Sequence, residues 1–205
     1  MKGRYVVIEG LDGSGKSTQH ELVCKAVENN LAIREPGFTP AGEAIRSLVK
    51  DPAIPRSPRT NSFLFSAARV DLIDTVVRPA ITSGQHVISD RNWLSTAAYQ
   101  QVEGAEAADV LQLARLAAKE FFTPDLVIFI DVSAKECQKR LFARGQTAKD
   151  YFDSKGVDYF ANVREAYLDA LQNVGHYIVV DGSQPVDGVY ADIMRALKAN
   201  LPQLF

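Results

Sequence analysis

Cysteine is scarce: Cys24 and Cys137 are the only two in 205 residues. They lie far apart, with no CxxC pair and no signal-peptide pattern beside them. They fit a reducing cytosol, and each reads as a small core residue rather than a reactive thiol. A basic excess is also missing. The formal net charge is −2, which argues against a general nucleic-acid binder. No apolar run approaches the roughly 20 residues needed to cross a bilayer, so no membrane span is expected. Internal repeats and low-complexity tracts are absent as well. What is present is ordinary for a globular chain: 46% apolar residues, 23% charged residues and 13 glycines. The length allows one domain or at most two, and no linker suggests a second.

Strand-like runs alternate with helical patterns. The runs are RYVVIEG (4–10), LAIRE (31–35), QHVISD (85–90), DLVIFIDV (125–132) and HYIVVDG (176–182). Several are apolar without clean alternation, as strands covered on both faces of a parallel sheet are. Between them, helices are expected at about 15–29, 41–50, 58–83, 92–121, 133–144, 157–173 and 186–199. Strand, helix, strand in repetition means an α/β layered fold around a parallel sheet. Binding sites in such folds lie beyond the carboxyl ends of the strands, where Asp12, Arg34, Asp90 and Arg91 cluster. Segments 36–40, 51–58 and 145–156 read as loops.

GLDGSGKST places Gly10, Gly15, Lys16 and Ser17 in G-x-x-x-x-G-K-[ST] spacing, after an apolar strand and at the start of a helix. The glycines let backbone N–H groups converge on phosphate oxygens, and the helix N-terminus adds positive potential. Lys16 is expected to reach the β and γ phosphates, and the Ser17 hydroxyl to ligate Mg²⁺. This chain is expected to bind a nucleoside triphosphate. Asp90 ends the third strand. Alone, an aspartate there is more often a helix cap, but beside a phosphate loop it becomes a candidate for holding Mg²⁺.

A triphosphate site does not reveal the acceptor. A guanine-type switch would carry N-K-x-D after a later strand, and FIDVSAKE offers none. Arg34 ends the second strand, Arg91 follows the third, and Arg46 lies on the short helix after REPGFT. Converging guanidinia bind phosphate through paired charged hydrogen bonds, so a small anionic acceptor is indicated. In FLFSAARVDLIDTVV (63–77), Phe65, Arg69, Leu72 and Val76 share one helical face. Phe65 offers a ring for stacking, and Arg69 can donate to a nucleobase carbonyl. The bland alternative puts Phe65 in the core and pairs Arg69 with Asp71 or Asp74. Gln100, in STAAYQ (95–100), carries both a donor and an acceptor, which suits an imide edge.

The ordered set GLDGSGKS, REPG (34–37), FSAAR (65–69), DR (90–91), STAAYQ and a basic segment after ARG (143–145) resembles thymidylate kinase of the bacterial type. The resemblance runs from about residue 4 to the final helix. It implies a P-loop kinase of three layers, with a five-stranded parallel sheet flanked by helices. It also implies ATP-dependent phosphorylation of dTMP to dTDP on the route to dTTP, with Mg²⁺, usually in a cytoplasmic homodimer. By that likeness, Gly10, Gly13, Ser14, Gly15, Lys16, Ser17, Thr18 and Arg144 hold ATP. Phe65 stacks on thymine, while Arg69 and Gln100 read its polar edge. Arg34 and Arg91 bind the acceptor phosphate, with Arg46 and Pro36 nearby. Asp12 meets the 3′-hydroxyl, and Ser95 and Thr96 line the sugar and base pocket. A non-standard peptide geometry is expected at Glu35–Pro36.

Three departures stand out. Gly13 occupies the position where the eukaryotic type has arginine. The lid, 144–156, has Lys149 inside and Arg144 at its base, so either cation could complete the transfer site; lysine lacks the planar fork of arginine. Phe38 stands where the family commonly has a second glycine. Two other functions compete. A related nucleoside kinase would need a deprotonating carboxylate, for which Glu9 is the candidate. A nonenzymatic NTP-dependent switch would have no use for the base-stacking helix.

Overall fold

The computed structural model describes residues 2–143 and 156–205. Its five strands are β1 (Tyr5–Glu9), β2 (Asn30–Arg34), β3 (His86–Asp90), β4 (Leu126–Asp131) and β5 (Tyr177–Asp181). They form one sheet in the order β2-β3-β1-β4-β5, and every neighbouring pair is parallel. Val6 of β1 stands opposite Ile88 on one side and Leu126 on the other. All five residues of β1 are buried. Their continuous apolar pattern follows from that position, because both sheet faces at the centre are covered by helices.

The helices are α1 (Lys16–Ala26), α2 (Pro40–Lys50), α3 (Pro58–Leu72), α4 (Arg78–Thr82), α5 (Trp93–Val102), α6 (Ala107–Ala118), α7 (Ala134–Ala143), α8 (Val157–Leu171) and α9 (Val186–Asn200). A π-helical turn, Ile73–Val77, joins α3 to α4, so the expected helix at 58–83 runs through with one widened turn. The expected helix at 92–121 is in fact two. Gly104 has φ +104 and closes α5, with Gly104 N–H donating to Gln101 O and Ala105 N–H to Gln100 O. That paired pattern is a Schellman cap, and glycine fits it because it has no Cβ to clash.

α1 packs against α9, β2 and β3, α9 packs against β5, and α5 packs against α8, α3 and α6. The largest enclosed side chains include Trp93, Phe129, Phe160 and Tyr167. Burying one such ring stabilises the fold by about 1.5–3 kcal/mol. Trp93 lies flat on Phe122 at 4.4 Å and donates its indole N–H to Phe122 O at 2.7 Å. Cys137 is fully buried and Cys24 partly, and burial pushes both thiols up to about 12, as inert packing residues require. No helix among the described residues is long and apolar enough to cross a membrane. The parallel topology brings Glu9–Gly10, Arg34–Glu35 and Asp90–Arg91 to one edge of the sheet.

Candidate active site

The loop between β1 and α1 is shaped by what surrounds it. A Cβ on Gly13, whose φ is +86, would lie 2.5 Å from the Cys137 carbonyl of α7. A side chain at this position, an arginine included, would require the α7 backbone to shift. α1 has no side-chain cap, as is also true of α4, α6, α8 and α9; what sets it apart is the glycine loop before it, which leaves its first N–H groups open to an anion. Lys16 is buried and rests its Nζ 3.3 Å from Asp12 Oδ1 and 3.4 Å from Leu11 O. Ser17 and Thr18 are exposed at the mouth of the loop, and Ser14 is buried with its hydroxyl unpartnered. Ser17 donates to Asp90 Oδ2 at 2.8 Å, while Asp90 Oδ1 is buried without a partner.

Beside the loop lies an open-sided cavity of about 120 Å³. Asp12, Pro36, Arg46, Phe65, Arg69, Arg91, Ser95, Thr96 and Gln100 all reach its wall, so topology gathers nine of the expected residues there. At one end, Arg91 donates to Asp12 at 2.6 Å, Ser95 Oγ at 2.7 Å and Tyr167 OH at 2.8 Å. Tyr99 donates to the other Asp12 oxygen at 2.9 Å and lies under the Arg91 guanidinium, 5.5 Å away. Burial would raise the Asp12 carboxyl, but Arg91, Lys16 and the Tyr99 hydroxyl hold it well below the usual carboxylate range. The backbone of Arg91 is left-handed, φ +78, which aims its side chain back into the cavity. Arg46 donates to Pro36 O at 2.9 Å, and burial and the nearby charge of Arg34 lower its pKa. Arg34 itself is half-exposed, pairs with Glu43 at 2.8 Å and is not among the residues lining the cavity.

At the other end, Arg69 is 3% exposed. It pairs with neither Asp71 nor Asp74: Thr39 donates to Asp71, and Arg78 binds Asp74. Its partner is Glu35 across the cavity, reached by Nε at 2.7 Å, while Nη2 donates to Thr96 Oγ1 at 3.0 Å. Nη1 is buried and unpartnered. Burial pushes the Glu35 carboxyl up against the pull of Arg69. Gln100 is fully buried. In the amide orientation that satisfies both ends, its nitrogen donates to Pro58 O and Glu103 Oε2. Phe65 is half-buried on the wall. The Glu35–Pro36 bond is cis, and Phe38 adopts φ +73, the backbone of a glycine. Lys149 and Arg144 lie outside the described residues.

Glu9 cannot serve as a base toward an acceptor in the cavity. It is fully enclosed, and both carboxylate oxygens are occupied by donors from Asn92, Ser95 and Tyr167. The roles of Glu35, Tyr99, Tyr167 and Asn92 were not anticipated from the sequence. The one available signal was a glutamate, Glu9, ending an otherwise apolar strand.

A capless helix behind a glycine loop, beside a cavity that joins guanidinia to a base-sized wall, defines a P-loop phosphotransferase acting on a small anionic acceptor. Comparison with known proteins narrows this. Residues 8–193 match the thymidylate kinase family model. The chain is 36% identical over 208 residues to a thymidylate kinase of Idiomarina loihiensis, covering 98% of this chain and all of that one. It is 33% identical over 204 residues to a thymidylate kinase of Photobacterium profundum, covering 96% and 97%. The chain belongs to the thymidylate kinase family, and is thus a nucleoside monophosphate kinase that phosphorylates dTMP to dTDP.

Proposed function

We propose that the cavity holds dTMP with its base against Phe65 and its phosphate at Arg91, facing the triphosphate of ATP at Lys16. The single observation that supports this most is the buried, unpartnered Nη1 of Arg69 on the cavity wall. It is a donor that can meet a thymine carbonyl, and Gln100 lies on the same wall to read the imide edge. Asp12, already ionised and fixed by Arg91 and Tyr99, accepts the 3′-hydroxyl. Arg46 adds charge near the acceptor phosphate, while Arg34 is held by Glu43.

The acceptor phosphate is anionic at neutral pH, so its oxygen attacks the γ-phosphorus in line without a general base. The new P–O bond forms as the bond to the β–γ bridging oxygen breaks, and ADP leaves. Lys16 gives up its weak contacts with Asp12 and Leu11 to follow the charge, and Arg91 neutralises it from the acceptor side. Ser17 and the unpartnered Asp90 oxygen form a hard oxygen donor set that fits Mg²⁺. When bound there, the ion supplies charge neutralisation at the phosphates. Lys149 and Arg144 are the candidates for a further cation from a lid within a single kinase domain.

The chain is read as a cytoplasmic homodimer that binds neither nucleic acid nor membrane. Phe63 and Val70, exposed with Ala67 along one face of α3, support a self-association surface; light scattering checks it by mass. A coupled assay of ADP release with a panel of nucleoside monophosphates tests the substrate. Turnover with dTMP far above dCMP, AMP and GMP is expected. ADP release independent of any acceptor would instead point to a nucleotide-dependent switch.

A further inference from the structure

We propose that Glu9 is a positioning residue that orients the Ser95 and Tyr167 hydroxyls and through them holds Arg91 ready for transfer. The proposal rests on the reading of Arg91 as the arginine at the acceptor phosphate. Glu9 ends β1 at the centre of the sheet and has no exposed surface. Its Oε1 accepts from the backbone N–H groups of Asn92 at 2.8 Å and Ser95 at 3.2 Å, which open α5. Its Oε2 accepts from Ser95 Oγ at 2.8 Å and Tyr167 OH at 3.0 Å. The nearest Arg91 nitrogen is 3.9 Å away, so the carboxylate acts on Arg91 mainly through the two hydroxyls.

The logic is one of proton direction. A hydroxyl has one hydrogen to give and lone pairs to receive with. With both hydrogens turned to Glu9, Ser95 and Tyr167 present lone pairs to Arg91 Nη1, which donates to them at 2.7 and 2.8 Å. The two oxygens are only 2.7 Å apart, so an acceptor that draws both hydrogens away from that contact keeps the arrangement single-valued. An ionised carboxylate is acceptor-only and can do this. An amide of the same shape would push N–H groups at the hydroxyls and turn their hydrogens toward the guanidinium, donor against donor. Arg91 is otherwise committed: Nη2 binds Asp12 at 2.6 Å, its N–H donates to Ile8 O, and Ser89 Oγ donates to its carbonyl at 2.6 Å. Glu9 also ties three separate pieces of chain together, β1, the start of α5 and α8.

The experiment compares wild type with Glu9→Gln in the full chain, reading dTMP turnover and the equilibrium binding of dTMP and of thymidine, which lacks the phosphate. With Arg91 misplaced, kcat is expected to fall about 100-fold. Affinity for dTMP should fall about tenfold while that for thymidine and the KM for ATP stay within about twofold. A residue that merely supports the fold would weaken thymidine and dTMP alike. Tyr167→Phe, which leaves the carboxylate in place, should give the same selective loss at smaller size. Should Glu9→Gln not fold, Tyr167→Phe decides alone. Equal losses for the two ligands, or kcat within about threefold of wild type in the folded variant, overturn the proposal. A wild type that turns over no dTMP breaks the reading of the site itself, and this proposal with it.

Discussion

The two halves of the site are built differently. On the acceptor side, Arg91, Asp12, Tyr99, Tyr167, Ser95 and Glu9 are joined by contacts of mostly 2.6–3.0 Å, and Arg69 is locked to Glu35 and Thr96. On the donor side, among the described residues, Lys16 makes contacts of only 3.3 and 3.4 Å, Ser17 and Thr18 are exposed, and Ser14 Oγ and Asp90 Oδ1 have no partner. The half proposed for the acceptor is a hydrogen-bonded frame with a few open groups on the cavity wall. The donor half is a set of polar atoms that only a charged ligand completes. Catalysis by positioning needs one rigid reference against which the other reactant is brought up, and the side proposed for dTMP has that character.

Four substitutions sharpen or break this contrast. Arg69→Ala strands the buried Glu35 carboxyl and should cost about 3–5 kcal/mol of stability in urea unfolding. A loss below about 1 kcal/mol would mean the pair is not part of the frame. Lys16→Ala should lower kcat by about 100- to 1000-fold while the melting temperature barely moves, since its resting contacts are weak. Near-normal turnover in that variant would refute the donor site. Phe65→Ala should raise the Kd for dTMP about 10- to 100-fold by removing the stacking face, with ATP affinity intact. Parallel loss of both ligands would return Phe65 to the core. Smallest is Phe38→Gly, which relieves a left-handed backbone and should raise the melting point by about 2–4 °C; a fall would show that the exposed ring is packed in solution.

Much of this was legible beforehand, and the misses share a cause. The strands were readable because buried parallel strands are continuous runs of Val, Ile and Leu, and the phosphate loop because its spacing is rigid. The break at Gly104 was missed although glycine at a helix end is a local signal, because the apolar pattern resumes at once in α6. The partner of Arg69 could not be read locally. Asp71 and Asp74 were near in sequence, whereas Glu35 is brought across by the β2–β3 pairing. The same holds for Tyr167, which reaches Arg91 from 76 residues away. Arg34 ends its strand as expected, yet alternation along β2 sends its side chain to Glu43 rather than into the cavity.

The most direct test is calorimetric titration of the protein with dTMP in the absence of ATP and divalent ions. A ready-made acceptor frame gives saturable binding, one nucleotide per chain, before any triphosphate is added. If dTMP bound only once an ATP analogue was present, the frame would be a product of the donor side and the account would be wrong.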